Sequence, residues 1–369
     1  MAQAEQTLHE VLEAFDFGAP VVGAIRYGQG HINDTFVVHT QPEDICCRRF
    51  ILQRMSPAAF KRPDQLMENI IGVTDYLGRE IQKHGGDRSR EALEVIRPKN
   101  GQPYFTDSQG GAWRLYPFVE HTVCHQSADT PELFAASGRA FGRFQRLLQD
   151  YPAGTLYETI PNFHNTEDRL AKFKAAVEAD KLSRAAQCRP EIEFVLAREP
   201  DCSVALNAMR EGRLPVRVTH NDTKLNNVLM DETTGEGMCI IDLDTVMPGL
   251  VIYDFGDSIR FGANHCAEDE TDLSKVSLDV DLFAAYTAAF LEGTAGSLTG
   301  EEISYLPWGA KLMTLECGIR FLTDYLEGDV YFHISREKHN LDRCRTQFKL
   351  VSDMEAQWDR LEAIVSQYK

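Results

Sequence analysis

The sequence predicts an α+β protein with a small antiparallel sheet in its N-terminal part and a larger helical C-terminal part. β-rich runs separated by turn residues occupy much of the chain before residue 120, and apolar residues at helical spacing dominate after residue 122. The 369 residues, 43% hydrophobic and 25% charged, suffice for two folded domains. We therefore expect one domain over residues 1–120 and a helical one over 121–369, with a hinge at 116–120.

The N-terminal elements follow from alternating patterns and turn residues. Five β-rich runs are predicted, at 21–27, 35–40, 49–55, 93–97 and 112–119. Pro63 begins a helix between the third and fourth runs, because apolar residues recur at helical spacing from Leu66 to Ile81. Gly85 and Gly86 end this helix.

The C-terminal elements are predicted to be helical with one β insertion. Phe134, Phe141 and Leu148 recur at helical spacing, and residues 166–210 read as a charged amphipathic helix. The insertion spans residues 216–244 and has a hairpin turn at 234–237. Helix resumes at Leu282 and continues to the end of the chain.

Composition excludes several function classes. With 38 Lys and Arg against 56 Asp and Glu, the net charge is −18, which disfavours nucleic acid and anionic membranes as partners. Nine cysteines at irregular spacing indicate neither a disulfide framework nor a zinc site. The N-terminal stretch lacks the pattern of a signal peptide, and no apolar run is long enough to span a bilayer. We expect a cytoplasmic protein with small-molecule partners and, by default, a monomer.

The strongest chemical signal is a loop with an Asp and an Asn close together, followed by a second Asp. Asp222 and Asn227 share one loop, and Asp242 follows an apolar run downstream. Phosphoryl transfer needs a carboxylate to accept the proton of the attacking hydroxyl and oxygen ligands to hold Mg²⁺ against the phosphates. Lys224 can bring positive charge to the transferring group. The alternative, in which these residues only cap loops and end a strand, is disfavoured by the β runs on both sides.

Two further features add to this pattern. Gly28 and Gly30 lie between the first two β runs, where glycines let a backbone approach phosphates, although a plain hairpin turn would look similar. Asp244 lies two residues after Asp242 and points the same way if the strand continues, as a metal contact or a group beside it. A solvated strand end is the alternative for Asp244.

These motifs resemble the aminoglycoside phosphotransferase family of the protein-kinase-like superfamily. Its His-Gly-Asp-x₄-Asn loop is similar to residues 220–227, and its Ile-Asp metal motif to Ile241 and Asp242. The resemblance implies a two-lobed kinase-like fold that uses ATP and Mg²⁺, with adenine bound at the hinge and Asp254 in an architectural role. The nucleotide-binding residues it implies are Gly28, Gly30, Asn33, Thr35, Gln53, Tyr116, Phe118 and Glu120.

A narrower resemblance concerns the acceptor. Residues 50–55, 66–70, 219–228, 241–249 and 315–331 look like the N-acetylhexosamine 1-kinases of gut bacteria. Those enzymes move the γ-phosphate of ATP onto the anomeric hydroxyl of GlcNAc or GalNAc. The resemblance implies a sugar pocket in which Asp222 faces the anomeric oxygen, lined by His31, Phe261, Arg320 and Tyr331.

Each of these pocket residues has a simpler alternative. Arg320 is four residues from both Glu316 and Asp324, as in a helical salt-bridge ladder. Phe261 and Tyr331 would serve equally as core aromatics, and His31 as a cap of the glycine turn.

One departure concerns the third strand. The superfamily usually has a Lys or Arg there for the α- and β-phosphates, and Gln53 falls at that position. Arg54 is predicted to point to the opposite face of the sheet, and Glu68 loses its usual ion-pair partner. The sequence therefore leaves open which cation holds these phosphates.

Two other functions compete with a hexosamine 1-kinase. One is a kinase with an acceptor of the aminoglycoside, choline or homoserine type, since an acidic protein suits cationic acceptors. An inactive kinase fold that only binds nucleotide is the other alternative, although such proteins typically lose one of the residues found here at Asp222, Asn227 and Asp242.

Overall fold

A five-stranded antiparallel sheet forms the N-terminal part of the computed structural model, which describes residues 2–28, 32–41, 48–128 and 130–369. The strands lie in the order β1-β2-β3-β5-β4 and comprise β1 Val21–Arg26, β2 Asp34–Thr40, β3 Arg49–Arg54, β4 Phe105–Thr106 and β5 Ala112–Pro117. Helices dominate the rest of the chain, so the predicted α+β class with a sheet first and helices after it is confirmed.

The two faces of this sheet pack against different helices. Helix α1 (Ala2–Ala14) covers one face, where its apolar side chains share a core with Phe50, Leu52, Trp113 and Leu115. Helix α2 (Pro63–Lys83) covers the other, in a core that contains Ile51 and Tyr116. Because successive side chains of a strand alternate between faces, Gln53 and Arg114 lie on the α2 side.

Three details of the N-terminal part differ from the prediction. Helix α1 was not predicted, although Leu8, Val11 and Phe15 follow helical spacing. The predicted run 93–97 forms a single bridge, from Ile96 to Leu115, because Pro98 ends further pairing. Strand β4 and the short helix α3 (Arg88–Glu91) were also missed.

The helical part is divided into more segments than predicted. Its helices are α4 Pro131–Leu147, α5 Thr166–Ala179, α6 Arg189–Ala197, α7 Val204–Arg210, α8 Val251–Gly262, α9 Val280–Thr294, α10 Gly300–Ser304, α11 Leu306–Glu327, α12 His339–Ala356 and α13 Trp358–Ser366. The prediction of helix over 166–210 is confirmed in type, but the helix is divided, because Asp180 adopts a left-handed conformation and Pro190 and Pro200 lie at the starts of new helical segments. Within the described ranges, no helix is both long and apolar enough to cross a membrane.

Short strands in the helical part place the loops of the candidate site. They are β6 Thr122–Val123, β7 Arg217–Thr219, β8 Val228–Asp231, β9 Gly237–Ile240 and β10 Met247–Gly249. The β8–β9 pair confirms the predicted hairpin, and β7 pairs with β10. These pairings bring the segments after β7 and after β9 to the same place.

Helices α8 and α11 cross with their backbones in contact. A Cβ atom added at Gly256 would lie 2.1 Å from the carbonyl oxygen of Gly309, which only glycine permits. This crossing fixes α8, which supports the loop after β7, against α11, which carries Arg320.

Candidate active site

The predicted catalytic loop lies between β7 and β8, and its side chains contact one another. The Asp222 carboxylate accepts hydrogen bonds from Lys224 Nζ at 2.6 Å and from Asn227 Nδ2 at 3.2 Å. The Asp222 side chain is 27% exposed, so a solute can reach it. The structure thus brings Asp222, Lys224 and Asn227 together around one accessible carboxylate.

Asn221 gives the loop its shape. It occupies the position at which the resembling family has glycine, and its φ is 64°. Asn tolerates this left-handed conformation better than most side chains. Its Nδ2 also donates to the carbonyl of Thr245 at 2.9 Å, which ties the loop to the segment after Asp242.

Asp254 and His220 hold the backbone of the loop. The buried Asp254 carboxylate accepts the N–H groups of His220 at 2.9 Å and Asn221 at 2.8 Å. His220 Nδ1 accepts the N–H of Asp222 at 3.3 Å, so the ring proton belongs on Nε2, which donates to the carbonyl of Ile241 at 2.9 Å. Asp254 therefore has the geometry of a support for the loop, as the resemblance implies.

Asn227 and Asp242 lie side by side at the ends of β8 and β9. The Ile241 N–H donates to the Asn227 carbonyl at 2.9 Å. Asn227 Nδ2 points to Asp222, and neither Asn227 Oδ1 nor the Asp242 carboxylate has a hydrogen bond to a described residue. Displacement of water by surrounding protein atoms and the nearby carboxylates of Asp244 and Asp222 raise the pKa of Asp242 to about 6.

These unengaged oxygens fit a magnesium ion. Proteins commonly hold Mg²⁺ by one or two carboxylates and leave other positions to phosphates and water. In the described part of the chain, no group of three or more His, Cys, Asp or Glu side chains forms a metal site by itself. The oxygens of Asn227 and Asp242 would therefore fill part of the coordination of Mg²⁺, and phosphate oxygens would fill other positions.

Asp244 is not a solvated strand end. Strand β9 stops at Ile240, so the strand does not continue as assumed, and Asp244 is only 4% exposed in a 3₁₀ turn. Its Oδ1 pairs with Arg114 Nη1, and its Oδ2 accepts from Asn33 Nδ2 at 2.6 Å. Both oxygens of this predicted metal contact are thus engaged by side chains of the N-terminal part.

Thr35, Gln53 and Arg114 form a hydrogen-bonded row across β2, β3 and β5. They are register partners, with Gln53 Nε2 donating to Thr35 Oγ1 at 3.0 Å and Arg114 Nε donating to Gln53 Oε1 at 3.0 Å. Arg114 is 1% exposed, and its charge-paired contact with Asp244 raises its pKa despite burial. The row gives the α2-facing side of the sheet a buried cation that the sequence analysis missed.

The structure agrees with the expectations that Arg54 points away from Gln53 and that Glu68 lacks an ion-pair partner. Arg54 lies beside Asp107 and Gly111 on the α1-facing side of the sheet, opposite to Gln53. Glu68 is exposed and forms no ion pair with a described residue.

The glycine-containing turn is described only in part. Gly28 has a φ of 79° directly after β1, as a tight turn requires. Gly30 and His31 lie outside the described residues. Asn33 Oδ1 accepts the N–H of Ser56 at 3.0 Å, so Asn33 connects the turn both to the end of β3 and to Asp244.

The predicted hinge is held by Arg49. Phe118 donates its N–H to the Arg49 carbonyl at 3.0 Å, and Arg49 Nε donates to the Glu120 carboxylate at 3.0 Å. Tyr116 is buried on the same face as Arg114, whose Cζ lies 5.4 Å from the Tyr116 ring centre. The Phe118 carbonyl and the Glu120 N–H make no hydrogen bond to a described residue, so both are available to a ligand.

Arg320 is not part of a salt-bridge ladder. Glu316 instead accepts from Thr166 Oγ1 and contacts His164, and Asp324 accepts the backbone N–H groups of residues 330–332. Arg320 has no ion pair or hydrogen bond with a described residue. Its Cζ lies 5.4 to 5.9 Å from the ring centres of Phe163, Tyr331 and Phe332.

The two predicted pocket aromatics are not core residues. Tyr331 is 70% exposed, with its backbone N–H bound to Asp324. Phe261 is partly buried at the end of α8 and belongs to none of the hydrophobic clusters. The alternative that these two rings are core aromatics therefore does not hold.

Two residues that were not predicted from the sequence lie between the surroundings of Arg320 and the loop after β7. His164 contacts Glu316 Oε1 at 2.9 Å and the Asn221 carbonyl at 3.2 Å. Arg169 donates to the Phe163 carbonyl at 2.8 Å, but its buried Nε has no hydrogen bond to a described residue, and burial together with the charge of Arg320 lowers its pKa. No local motif marks either residue, because their partners are distant in sequence.

Comparison with known proteins identifies the family. Residues 23–292 match the phosphotransferase enzyme family (APH), and the chain belongs to this family. It follows that the protein is a phosphotransferase of the small-molecule kinase type.

Solved structures share its fold at low sequence identity. An aminoglycoside phosphotransferase from Alicyclobacillus acidocaldarius superposes with a TM-score of 0.60 at 13% identity, covering 97% of this chain and 96% of that chain. An amicoumacin kinase in complex with AMP-PNP and Ca²⁺ gives 0.56 at 15%, covering 94% and 92%, respectively. A microcompartment-associated aminopropanol kinase gives 0.56 at 14%, covering 97% and 98%. These similarities support the kinase-like fold.

Proposed function

We propose that this phosphotransferase transfers the γ-phosphoryl group of ATP to the anomeric hydroxyl of an N-acetylhexosamine, GlcNAc or GalNAc, and releases the sugar 1-phosphate. The observation that carries the proposal is Arg320, which forms no ion pair with a described residue and lies among aromatic rings, one helical turn from Glu316. Glu316 connects through His164 to the loop that holds Asp222. A neutral polyol needs such side-chain donors and apolar ring faces in its site.

Asp222 is proposed as the base. Asn227 orients its carboxylate, and the anomeric hydroxyl gives its proton to Asp222 as the bond from the sugar oxygen to the γ-phosphorus forms and the bond to the bridging oxygen of ADP breaks. The transfer is direct and in line, without a phosphorylated enzyme. Lys224 screens the charge that develops, and an anomeric hydroxyl, which is more acidic than an ordinary alcohol, makes a mild demand on the base.

The remaining residues are proposed to hold the nucleotide. Asn227 Oδ1 and the Asp242 carboxylate would bind Mg²⁺, which neutralises charge on the phosphate oxygens. The turn with Gly28, Gly30, Asn33 and Thr35 covers the phosphates, Gln53 lines their site, and adenine binds at the hinge with Tyr116, Phe118 and Glu120. Asp244, whose oxygens are both engaged, is proposed to anchor the metal-binding segment and to contact Mg²⁺ only through its remaining lone pairs.

The charges on the acceptor side favour this acceptor over cationic ones. Arg320 and Arg169 lie close enough to influence each other, and neither forms an ion pair with a described carboxylate, so the nearby Glu316 is the shared counter-charge of two guanidinium groups. Two such guanidinium groups repel an aminoglycoside or choline, whereas the hydroxyl and acetamido oxygens of a hexosamine can accept their hydrogen bonds. Phe261, Tyr331 and His31 complete the proposed sugar pocket.

We also propose the division into domains at residue 120, with the hinge at 116–120. The proposed enzyme is a cytoplasmic monomer that binds small molecules and neither nucleic acid nor membrane.

Phosphorus NMR tests the proposal. The purified protein is incubated with ATP and Mg²⁺ and, in separate tubes, with GlcNAc, GalNAc, galactose, kanamycin, choline or homoserine. We expect a new resonance coupled to the anomeric proton with the first two sugars. The methyl glycoside of GlcNAc, in which the anomeric hydroxyl is blocked, is the matched control and should give none. Transfer to the methyl glycoside, or only to kanamycin, choline or homoserine, would refute the anomeric assignment, and binding of nucleotide without any transfer would favour an inactive module.

A further inference from the structure

We infer that Arg114 supplies the positive charge that a third-strand Lys or Arg supplies in the kinases this chain resembles. Held between Gln53 and Asp244, it offsets the charge of the α- and β-phosphates and positions the segment that carries Asp242. The inference rests on the proposed nucleotide site but not on the identity of the acceptor.

Neither the third-strand residue nor the other cations near it suit this role. Gln53, at the third-strand position, is uncharged. Arg54 lies on the opposite face of the sheet beside Asp107, and Lys224 is paired with Asp222 at 2.6 Å. Arg114 is the register partner of Gln53 on β5 and shares its face. An arginine side chain is longer than a lysine side chain, so the guanidinium of Arg114 on the neighbouring strand can reach the place that a third-strand lysine would occupy.

The guanidinium of Arg114 has unused donors. Of its five N–H groups, Nε donates to Gln53 and Nη1 to Asp244, while Nη2 has no hydrogen bond to a described residue. Nη2 is not one of the buried nitrogens that lack a partner, so this end of the otherwise buried guanidinium can be reached by a ligand. Oxygen atoms of a diphosphate match the planar fork of a guanidinium and would satisfy these donors.

The ion pair with Asp244 also joins the two parts of the site. Arg114 lies on the sheet, and Asp244 lies two residues after Asp242 in the segment that follows β9. The carboxylates of Asp222, Asp242 and Asp244 lie close enough to influence one another, and Arg114 is a buried counter-charge to them. Loss of Arg114 would leave the buried Asp244 carboxylate with Asn33 as its one side-chain partner among the described residues, which is strongly unfavourable.

Calorimetric titration of ADP and of adenosine, in the absence of Mg²⁺, tests the inference. We expect Arg114→Gln to weaken ADP binding by at least about tenfold, as loss of a charge-assisted contact does, and to change adenosine binding by less than about twofold. Arg114→Lys should retain part of the ADP affinity. Arg54→Gln is the matched control, because it removes the same charge from the opposite face, and it should leave the ratio of the two affinities unchanged.

Equal losses of ADP and adenosine affinity, or unchanged ADP affinity, would overturn the inference. If Arg114→Gln does not fold, the double variant Arg114→Gln/Asp244→Asn decides, because it replaces the buried ion pair by a neutral amide pair. The double variant should show the same selective loss of ADP binding. No acceptor is present in these titrations, so failure of the hexosamine assignment would leave their outcome unaffected.

Discussion

The two halves of the candidate site differ in how they are built. In the catalytic half, the contacts between the loop from His220 to Asn227 and the supporting segments after it span moderate distances along the chain. Asn227 and Asp222 are five residues apart, and His220 and Asp254 are 34 residues apart. In the sheet half, Arg114 contacts Gln53 at a separation of 61 residues and Asp244 at 130. The comparison shows that chemistry held in one loop is visible in a sequence, whereas chemistry assembled across strands is not.

The halves should also respond differently to mutation. Variants of the catalytic half are expected to reduce the rate of transfer, and variants of the sheet half to reduce nucleotide affinity.

The largest effect is expected for Asp222→Asn. The variant keeps the shape of the side chain but removes the proton acceptor, so the single-turnover rate with ATP and GlcNAc should fall about 10²- to 10⁴-fold. ADP affinity by calorimetry should stay within about twofold of the wild type, since the nucleotide residues are unchanged. A rate within about tenfold of the wild type would contradict the role of Asp222 as base.

A smaller effect is expected for Asn227→Ala. Asn227 is a proposed ligand of the Mg²⁺ that would join the catalytic half to the bound nucleotide. The variant loses a proposed Mg²⁺ ligand and the amide that orients Asp222. The Mg²⁺ concentration for half-maximal rate should rise about 10- to 100-fold. Asn226→Ala, a neighbouring amide removed from the same loop, is the control and should leave that concentration unchanged, and wild-type activity that survives EDTA would count against the metal site altogether.

Arg320→Gln should affect the acceptor alone. Loss of one hydrogen-bonding cation should raise the KM for GlcNAc about tenfold and leave the KM for ATP unchanged. Initial rates at varied sugar and varied ATP separate the two constants. Equal rises in both would show that Arg320 acts on the fold of the site and not on the sugar.

The smallest effect concerns the backbone of the catalytic loop. Asn221→Gly and Asn221→Ala both lose the hydrogen bond to Thr245, but only alanine is strained at a φ of 64°. The alanine variant should therefore be less stable than the glycine variant by about 1 kcal/mol in chemical denaturation. Equal free energies of unfolding would mean that the loop changes conformation when Asn221 is replaced.

Much of the fold could be predicted because its signals are local. The first three strands, helix α2 and the β8–β9 hairpin follow from alternation, helical spacing and turn residues. Helix α1 and the breaks between residues 166 and 210 were missed, because a short amphipathic pattern and isolated prolines have to be weighed against neighbouring segments whose packing the sequence does not show.

The candidate site divides in the same way. Asp222, Lys224, Asn227 and Asp242 lie together because the loop and the hairpin that carry them were both predictable. Arg114, Arg169 and His164 could not be predicted, because their roles depend on strand register and on the crossing of distant helices. For Asp244 the strand does not continue as the predicted metal contact assumed, and contacts with Arg114 and Asn33 engage both of its carboxylate oxygens.

The contact between Gly256 and Gly309 extends the site well beyond the residues that touch substrate. Asp254 grips the backbone of His220 and Asn221 from α8, so any side chain wedged between α8 and α11 would push that carboxylate and the loop it supports. A displacement of only about 1 Å at reacting groups can cost a factor of about 10² in rate. One methyl group added at this buried crossing would therefore slow turnover through the displaced loop, from a position outside the proposed substrate and nucleotide sites.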